Sequence, residues 1–273
     1  MAVTMADISK LRTMTGAGMM DCKNALNEAE GNFDKAIEII RKKGQAIAAK
    51  RSDRQASEGC VLAASNGEFA AVVAIKCETD FVAQNADFIA LTQSILDAAM
   101  ANKIADKEAL LALEIDGRSI ADLITDRSGI TGEKMELGFY EVVNGAATVA
   151  YIHPGNKLAT VVAFNEALDA QVAREVAMQV AAMNPIAVKR DEVPANIIAT
   201  ELEVGREKAR QEGKPEAMLD KIAEGRLNKF YKESTLLEQD FIKDAKVSVQ
   251  QYLKQVSASL TATAFKRVTL NEE

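Results

Sequence analysis

Aromatic residues and histidine are scarce in this sequence. Its 273 residues contain no tryptophan, 5% aromatic residues and one histidine, His153. Surfaces that bind nucleic acid generally use positive charge for phosphates and aromatic rings for bases, but the formal net charge is −7. We therefore expect no direct contact with nucleic acid. Any histidine-dependent triad or metal site would have to rely on His153 alone.

Cysteines and long apolar runs are also few. Cys22, Cys60 and Cys77 are odd in number, widely spaced and form no C-x-x-C motif, so we expect reduced, mostly buried thiols and neither disulfides nor a zinc site. No apolar run approaches the roughly 20 residues of a membrane span, and the opening MAVTMADISK lacks the basic-then-apolar pattern of a secretory signal. These features predict a cytoplasmic protein without membrane contact.

The N-terminal part predicts a small helical domain. Apolar residues recur at helical spacing in 8–14, 19–30 and 33–42, and glycines separate these stretches. The following stretch, KKGQAIAAKRSDRQASEG, is basic and polar with few large apolar residues, which favours a connector over residues 42–59. We therefore predict a three-helix domain with its connector at residues 1–55.

A strand-rich pattern then occurs twice. Strands at 60–64 and 68–77 flank the hairpin signal Asn66-Gly67, and strands at 139–143, 146–152 and 158–164 around Asn144-Gly145 predict a three-stranded meander. A helical pattern follows each group, near 85–101 and 168–183. The stretch SLTATAFKRVTL predicts a last strand at the edge of the second sheet. We expect a duplicated core, with one subdomain at 56–138 and the other at 139–193 plus 234–273.

Residues 194–233 predict an antiparallel helical hairpin inserted into the second subdomain, with GKP at the turn. Apolar residues of the two arms are expected to face each other: Ile198, Leu202 and Ala209 on the first, Met218, Ile222 and Phe230 on the second. The pattern leaves open whether this apolar face packs internally or against a second copy. The predicted fold class is α+β, with antiparallel sheets backed by helices.

Two short stretches resemble functional motifs on pattern alone. TGAGMMDC has two glycines of a phosphate-binding loop, but a helix precedes it and Asp21 stands where the third glycine belongs. We interpret it as a tight corner that exposes Met19 and Met20, an adaptable docking surface. His153 lies at a strand end before a Pro-Gly turn with no cysteine or carboxylate beside it, so we expect an exposed contact residue.

The stretch CETDFVAQN joins a buried-looking strand to a helix. Thr79 or Asp80 could cap that helix, but Phe81 has no capping role and must pack against its own core or a partner. The acidic residues at 133–136 are interpreted as a solvated face.

Several longer motifs occur together, in one order along the chain: TGAGMMDCKNAL, GNFDKAIEIIRKKG, ETDFVAQN, YIHPGNK, GKPEAMLDKIAEGRLNKFYKE and LLEQDF. In this order they resemble the bacterial elongation factor Ts family over essentially the whole chain. ETDFV together with EGRLNKFYKE is the most specific pair. The resemblance implies a guanine-nucleotide exchange factor for the GTPase elongation factor Tu, with a ubiquitin-associated-like N-terminal domain, a two-part core and a helical hairpin.

The resemblance also implies roles for residues that match the family's motifs. Thr79, Asp80, Phe81 and Val82 match the loop that such factors insert near the Mg²⁺ and phosphate site of the GTPase, where the Phe enters a pocket between helices. The docking residues implied are Met19, Met20, His153 and, in the loop with Glu133, Gly132. In that last loop Thr131 replaces a familiar aliphatic residue. No catalytic residue, cofactor or metal is implied for this chain.

Some family members carry a C-terminal helical module that embraces the GTPase. Residues 271–273 directly follow the last predicted strand, so we expect that contact to be missing here.

Two other functions remain open on the sequence. A hydrolase built around His153 would turn over a small substrate without any partner. An adaptor that uses only residues 1–43 would keep full activity as that fragment.

Overall fold

The computed structural model describes residues 3–271, and the predictions that include residues 1, 2, 272 and 273 extend beyond this part. The chain divides into two compact units. Within the described residues the first unit comprises 3–62, 73–141 and 270–271, and the second comprises 63–72 and 142–269. Helices and antiparallel strands are both abundant, so the predicted α+β class is confirmed. No helix in residues 3–271 combines the length and apolarity that crossing a membrane requires.

The first half of the chain contains seven helices, three long strands and a pair of two-residue strands among the described residues. Its helices are α1 Met5–Thr15, α2 Met19–Glu28, α3 Phe33–Lys50, α4 Asp80–Ala83, α5 Ala86–Asn102, α6 Lys107–Ala112 and α7 Ile120–Thr131. Its strands are β1 Glu58–Ser65, β2 Phe69–Cys77, β3 Glu114–Ile115, β4 Arg118–Ser119 and β5 Glu136–Asn144.

The second half contains the remaining elements. Its strands are β6 Ala147–Ile152, β7 Leu158–Phe164, β8 Asp240–Phe241, β9 Asp244–Ser248 and β10 Ala262–Thr269. Its helices are α8 Ala170–Met183, α9 Ala195–Gln211, α10 Leu219–Ser234 and α11 Val249–Val256, with short 3₁₀ turns at Arg190–Glu192 and Glu216–Met218.

The three predicted N-terminal helices are present as α1, α2 and α3. Thr4 caps α1 in a capping box with Asp7, and the Asn32 side chain accepts from the amide of Lys35 to begin α3. Their shared core includes Leu11, Leu26 and several alanines. The predicted connector is wrong in its first part, because α3 continues through Lys50.

Helix α3 continues because its second half packs against α7 in the same unit. Gly44 is the one fully buried residue of that half, and it meets Gly129 of α7 backbone to backbone. A Cβ added to Gly129 would lie 2.2 Å from the Cα of Gly44. Two glycines at one crossing let the helix axes approach more closely than any side chain allows, so a stretch poor in large apolar residues still packs well.

The predicted hairpin at Asn66-Gly67 is confirmed, but the predicted meander is wrong. The strands are ordered β1-β2-β5 in one sheet and β10-β7-β6 in another, so β5 is not the neighbour of β6. Gly145 marks the change of sheet: its amide donates to the Glu68 carbonyl at 3.0 Å, and the next amide, of Ala146, donates to the Phe164 carbonyl at 3.1 Å. A Cβ on Gly145 would lie 2.9 Å from that Phe164 oxygen. Position 145 therefore requires glycine because the Phe164 carbonyl approaches its Cα closely, and not because the chain forms a hairpin turn there.

The second sheet is covered by helices of the second unit. Every residue of β7 is buried, and β10 pairs with it antiparallel from Ala262 to Thr269, which confirms the predicted edge strand. Helix α8 lies against β7 and β6, and α11 also contributes to the shared core. The largest fully buried side chains of this core are Phe164, Leu236, Leu253 and Leu260.

Helices α9 and α10 form the predicted hairpin, with Gly213 at φ 75° in its turn. Small residues form a larger part of the seam between the arms than the sequence predicts. Gly205 packs on Ala223, where an added Cβ would lie 3.1 Å from the Ala223 Cα. The predicted inward position of Met218 is wrong: its side chain is exposed, and the adjacent Leu219 is buried.

Candidate functional site

The stretch after β2 contains a single helical turn where the sequence predicts a loop. Helix α4 has four residues, and Thr79 caps it by accepting from the Val82 amide at 3.4 Å. Asn85 then caps α5 by accepting from the amides of Asp87 and Phe88. We call residues 78–85 the Phe81 loop.

The Phe81 loop turns its aromatic side chain outward. Phe81 is 85% exposed, whereas Phe88, seven residues on, is 1% exposed. Asp80 is also exposed, Val82 is half-buried and Ala83 is buried. Burial on one side of the turn therefore anchors the loop, while Asp80 and Phe81 project into solvent. Among the described large apolar side chains, Phe81 has the highest exposure, which is typical of a contact residue and not of a core residue.

Glu133 holds the Phe81 loop from the segment that precedes β5. Its Oε2 accepts from the backbone amides of Glu78 and Thr79 at 3.1 and 3.0 Å, and its Oε1 accepts from the Thr79 hydroxyl at 2.6 Å. The interpretation of Glu133 as part of a solvated acidic face is therefore wrong. Its carboxylate is half-buried and serves as a hydrogen-bond acceptor for the loop.

Gly132 creates the geometry that brings Glu133 to the loop. It ends α7 with φ 73° in the left-handed region, and its amide donates to the Ser128 carbonyl at 2.9 Å. The Ser128 hydroxyl donates to the Glu133 carbonyl at 2.5 Å, which fixes the residue after the cap. Nothing lies within 4 Å of a Cβ added to Gly132, so the backbone conformation alone demands glycine.

Glu78 makes the reciprocal contact. Its Oε1 accepts from the Lys134 amide at 2.7 Å, and its Oε2 lies 3.5 Å from guanidinium nitrogens of both Arg51 and Arg54. The pKa of Glu78 lies below its ordinary value because the Lys134 amide donates to the carboxylate and, secondarily, because the two arginine charges are near. Glu78 is therefore an ionised partner at neutral pH.

Cys77, the last residue of β2, contacts the backbone of the Phe81 loop. Its thiol is fully buried and donates to the Thr79 carbonyl at 3.3 Å. Burial raises the pKa of Cys77 to about 12, and the nearby Glu133 charge adds to the shift. Cys22 and Cys60 are also free and buried, which confirms the prediction that the thiols are mostly buried.

Met19 and Met20 are at the start of α2, behind the Gly18 N-cap. Their side chains are 36% and 64% exposed, so the predicted exposure of this corner is confirmed. Cys22, Ala25 and Leu26 on the opposite face of the helix are buried, so this face anchors α2 in the core of the N-terminal helices. A flexible thioether surface of this kind adapts to a partner at low cost.

His153 follows β6 in the second unit. Its amide donates to the Leu158 carbonyl at 2.9 Å, and its Nδ1 lies 3.0 Å from the Tyr151 hydroxyl. The imidazole is exposed, as expected, and the Arg174 guanidinium lies over the Tyr151 ring at 5.2 Å. The contact with the Tyr151 hydroxyl positions the imidazole at the start of the β6–β7 turn.

The hydrogen bonds thus bring two of the sequence-derived groups together, Thr79–Val82 and the segment at Gly132. Sequence reasoning missed Glu133 and Glu78 as supporting residues. A carboxylate placed directly after a helix-ending glycine was a usable signal for Glu133. Residues 3–271 contain no cluster of His, Cys, Asp and Glu side chains suited to hold a metal ion.

A match to a known protein family identifies the class of this protein. The family model described as Elongation factor TS matches residues 78–272, which includes the Phe81 loop, Gly132 and His153. The protein is therefore a translation elongation factor by family.

Curated relatives agree along the whole chain. The chain is 64% identical over 274 residues to an elongation factor Ts from Porphyromonas gingivalis, with 100% of both chains covered. It is 58% identical over 274 residues to that of Azobacteroides pseudotrichonymphae and 49% identical over 330 aligned residues to that of Bacteroides fragilis, again with full coverage. The chain belongs to the elongation factor Ts family.

Proposed function

We propose that this chain is a guanine-nucleotide exchange factor that binds elongation factor Tu in its GDP-bound and nucleotide-free states. It promotes GDP release by disturbing the Mg²⁺ and phosphate site and so allows GTP to bind during translation elongation in the cytoplasm. The single observation that carries the proposal is Phe81, 85% exposed on a loop fixed by hydrogen bonds. The chain acts on the partner's conformation, without covalent chemistry or a cofactor of its own.

Linkage sets what such a factor must do. A protein that weakens GDP binding is itself weakened by GDP to the same degree, so it must prefer the nucleotide-free or distorted GTPase. An aromatic side chain that is exposed in the free factor and buried only in the distorted partner provides this preference, because its burial is favourable in one partner state alone. The exposure of Phe81 fits that requirement.

The size of the effect shows that Phe81 does not act alone. Burial of one Phe side chain is worth about 1.5–3 kcal/mol, a tenfold to hundredfold change in affinity. A larger acceleration needs the Asp80 carboxylate near the Mg²⁺ and phosphate ligands. It also needs docking contacts that hold the partner in place. We propose Met19, Met20, Gly132 and His153 for these contacts.

This division of roles follows the domains that the sequence predicts. We propose that residues 1–55 dock the partner and that 56–138 carry the Phe81 loop. Residues 139–193 with 234–273 present the His153 turn, and 194–233 project as the hairpin.

The direct test is stopped-flow release of fluorescent GDP from elongation factor Tu, with the factor titrated over a wide concentration range. We expect strong acceleration by the unsubstituted chain and a fall of about tenfold or more in the plateau rate for Phe81→Ala. The matched control is Phe139→Ala, which removes another aromatic ring, 41% exposed on β5, outside the Phe81 loop.

Two further variants separate the roles. Asp80→Ala with Phe81→Ala should abolish most of the acceleration, whereas His153→Ala should raise the half-saturating concentration and leave the plateau rate close to normal. Retention of exchange by the Asp80 and Phe81 double variant, with loss in the docking variant, would contradict the insertion mechanism. An unsubstituted factor that fails to accelerate release would contradict the proposed function itself.

A second candidate partner is another copy of this chain, through the hairpin α9–α10. The buried seam of Gly205, Ala209, Leu219 and Ala223 is formed within one chain, while Val204 and Met218 are exposed along the arms. Sedimentation velocity over a range of concentrations would reveal self-association, and Met218→Lys should prevent it if the hairpin is the interface.

A further inference from the structure

The cap at Thr79 and the burial of Ala83 hold the Phe81 loop only in part. Helix α4 has only four residues, and isolated helices of that length are not stable because nucleation costs more than one turn of hydrogen bonds returns. Phe81 itself contributes little anchoring, since its side chain is 85% exposed. A loop that must deliver this ring to a defined place therefore needs support from outside.

The support is a reciprocal pair of carboxylates. Glu133 accepts from the amides of Glu78 and Thr79 and from the Thr79 hydroxyl, and Glu78 accepts from the amide of Lys134. Each carboxylate therefore binds backbone of the segment that carries the other. Hydrogen bonds to an ionised acceptor are stronger than neutral ones, so four such bonds define the path of residues 78 and 79 closely.

The position of this pair allows it to fix the direction of the Phe81 side chain. Strands β2 and β5 are neighbours in their sheet, and the pair joins the residues directly after Cys77 to those directly before Glu136. It therefore closes the sheet end from which α4 begins. Thr79 donates two of these hydrogen bonds to Glu133 and also caps α4, so its displacement would change the direction of Phe81, two residues later.

Glu78 also contacts two arginines in the segment that follows α3. Arg51 and Arg54, just after α3, place guanidinium nitrogens 3.5 Å from the second oxygen of Glu78. The side chain of Glu78 is 14% exposed and those of the arginines are 33% and 58% exposed, so screening by water weakens these contacts relative to the amide bonds. They align the Phe81 loop with the segment that follows α3, while the backbone bonds supply the rigidity.

We infer that Glu133 and Glu78 are positioning residues for exchange: their reciprocal hydrogen bonds hold Phe81 in the direction in which it enters the partner. This inference rests on the proposed function. The pair does not touch the nucleotide; it acts through Phe81. Its loss should therefore reduce the rate of GDP release from the complex much more than the affinity of the factor for the GTPase.

The test titrates full-length factor against fluorescent GDP bound to elongation factor Tu and reads plateau rate and half-saturating concentration separately. Glu133→Ala should lower the plateau at least about tenfold, because several charge-assisted bonds to the loop are lost, while half-saturation stays within about threefold. Glu133→Gln should recover part of the rate, since its amide oxygen can still accept from the two backbone amides. Glu136→Ala, which removes a surface carboxylate paired with Lys76 and Lys134, is the matched control and should change neither value.

A double variant separates positioning from general stabilisation. If Glu133 acts through Phe81, combining Glu133→Ala with Phe81→Ala should be no slower than Phe81→Ala alone. Hydrogen exchange of the free factor should show faster exchange at the Glu78 and Thr79 amides in both Glu133 variants. This readout keeps the test valid for Glu133→Gln even if the alanine variant folds poorly.

The possible results are distinct. A normal plateau rate in Glu133→Gln and Glu133→Ala despite lost amide protection would overturn the positioning role and leave the proposed function standing. A multiplicative effect in the double variant would also overturn it. Failure of the unsubstituted factor to accelerate release would remove the proposed function, and this inference with it.

Discussion

The crossing of α3 and α7 offers a sharp test of packing, because its two glycines are not equivalent. A Cβ on Gly129 would lie 2.2 Å from the Gly44 Cα and 2.8 Å from its carbonyl carbon. A Cβ on Gly44 would lie 3.5 Å from the Gly129 Cα, an ordinary van der Waals distance. The same substitution at two touching positions should therefore have opposite effects on stability.

The expected magnitudes combine two contributions. Replacing a helical glycine by alanine stabilises a helix by about 0.5–1 kcal/mol, since alanine loses less backbone entropy on folding. Overpacking against rigid backbone costs about 1–3 kcal/mol. Gly44→Ala should therefore be neutral or stabilising by up to about 1 kcal/mol, whereas Gly129→Ala should be destabilising by up to about 2.5 kcal/mol after the helix contribution is subtracted.

The measurement is urea denaturation of both variants and the unsubstituted chain, followed by circular dichroism at 222 nm. The wavelength reports helix content, and both glycines lie in helices of the first unit. We expect the midpoint of Gly129→Ala to fall below that of the unsubstituted chain and the midpoint of Gly44→Ala to stay level or rise. Equal midpoints for the two variants, or a higher one for Gly129→Ala, would refute the reasoning from backbone contact.

Two further predictions concern ionisation. The pKa of Glu175 is lowered from 4.5 to about 2 by hydrogen bonds from Lys243, Tyr252 and Gln171, so its contribution of up to about 3 kcal/mol is complete above pH 4.5 and lost as pH falls towards 2. Glu175→Gln should reduce the fall in the free energy of unfolding as pH is lowered from 4.5 towards 2. An unchanged slope would argue against this contribution of Glu175. Burial raises the pKa of Cys60 to about 11 and that of Cys77 to about 12. Ellman's reagent at pH 8 should therefore react with these two thiols only after the protein unfolds. Fast reaction in the native protein would show that the thiols are not protected.

Local patterns in the sequence were sufficient for most of the elements. The helices at α5 and α8, the hairpin at Asn66-Gly67 and the edge strand β10 all depend on neighbouring residues, and the structure contains them. Asn144-Gly145 carries the same dipeptide as the true hairpin turn, yet the chain changes sheets there. The difference lies in the Phe164 carbonyl, which is distant in sequence and needs a residue without a side chain beside it.

The candidate site shows the same limit. Pattern alone leaves Phe81 as either a core or a contact residue, and the family resemblance favours contact, with which its exposure agrees. The interpretation of Glu133 as a solvated residue fails, although acidic residues in a short run usually face solvent. Its partners lie 54 and 55 positions earlier in the chain, and the glycine before Glu133 indicates a fixed carboxylate without identifying those partners. Residues that support a site through distant backbone contacts are therefore the hardest to find from sequence.

The pairing of β10 with β7 has a consequence for biosynthesis. Strand β7 is buried along its whole length, but one of its two neighbours is made of residues 262–269, more than 90 residues later in the chain. A nascent chain on the ribosome therefore carries an apolar strand with an unsatisfied edge until residues 262–269 have been made, a state prone to aggregation. Hydrogen bonding of the second sheet is thus delayed by the synthesis of the whole helical hairpin and of α11, which separate its two partner strands in the chain.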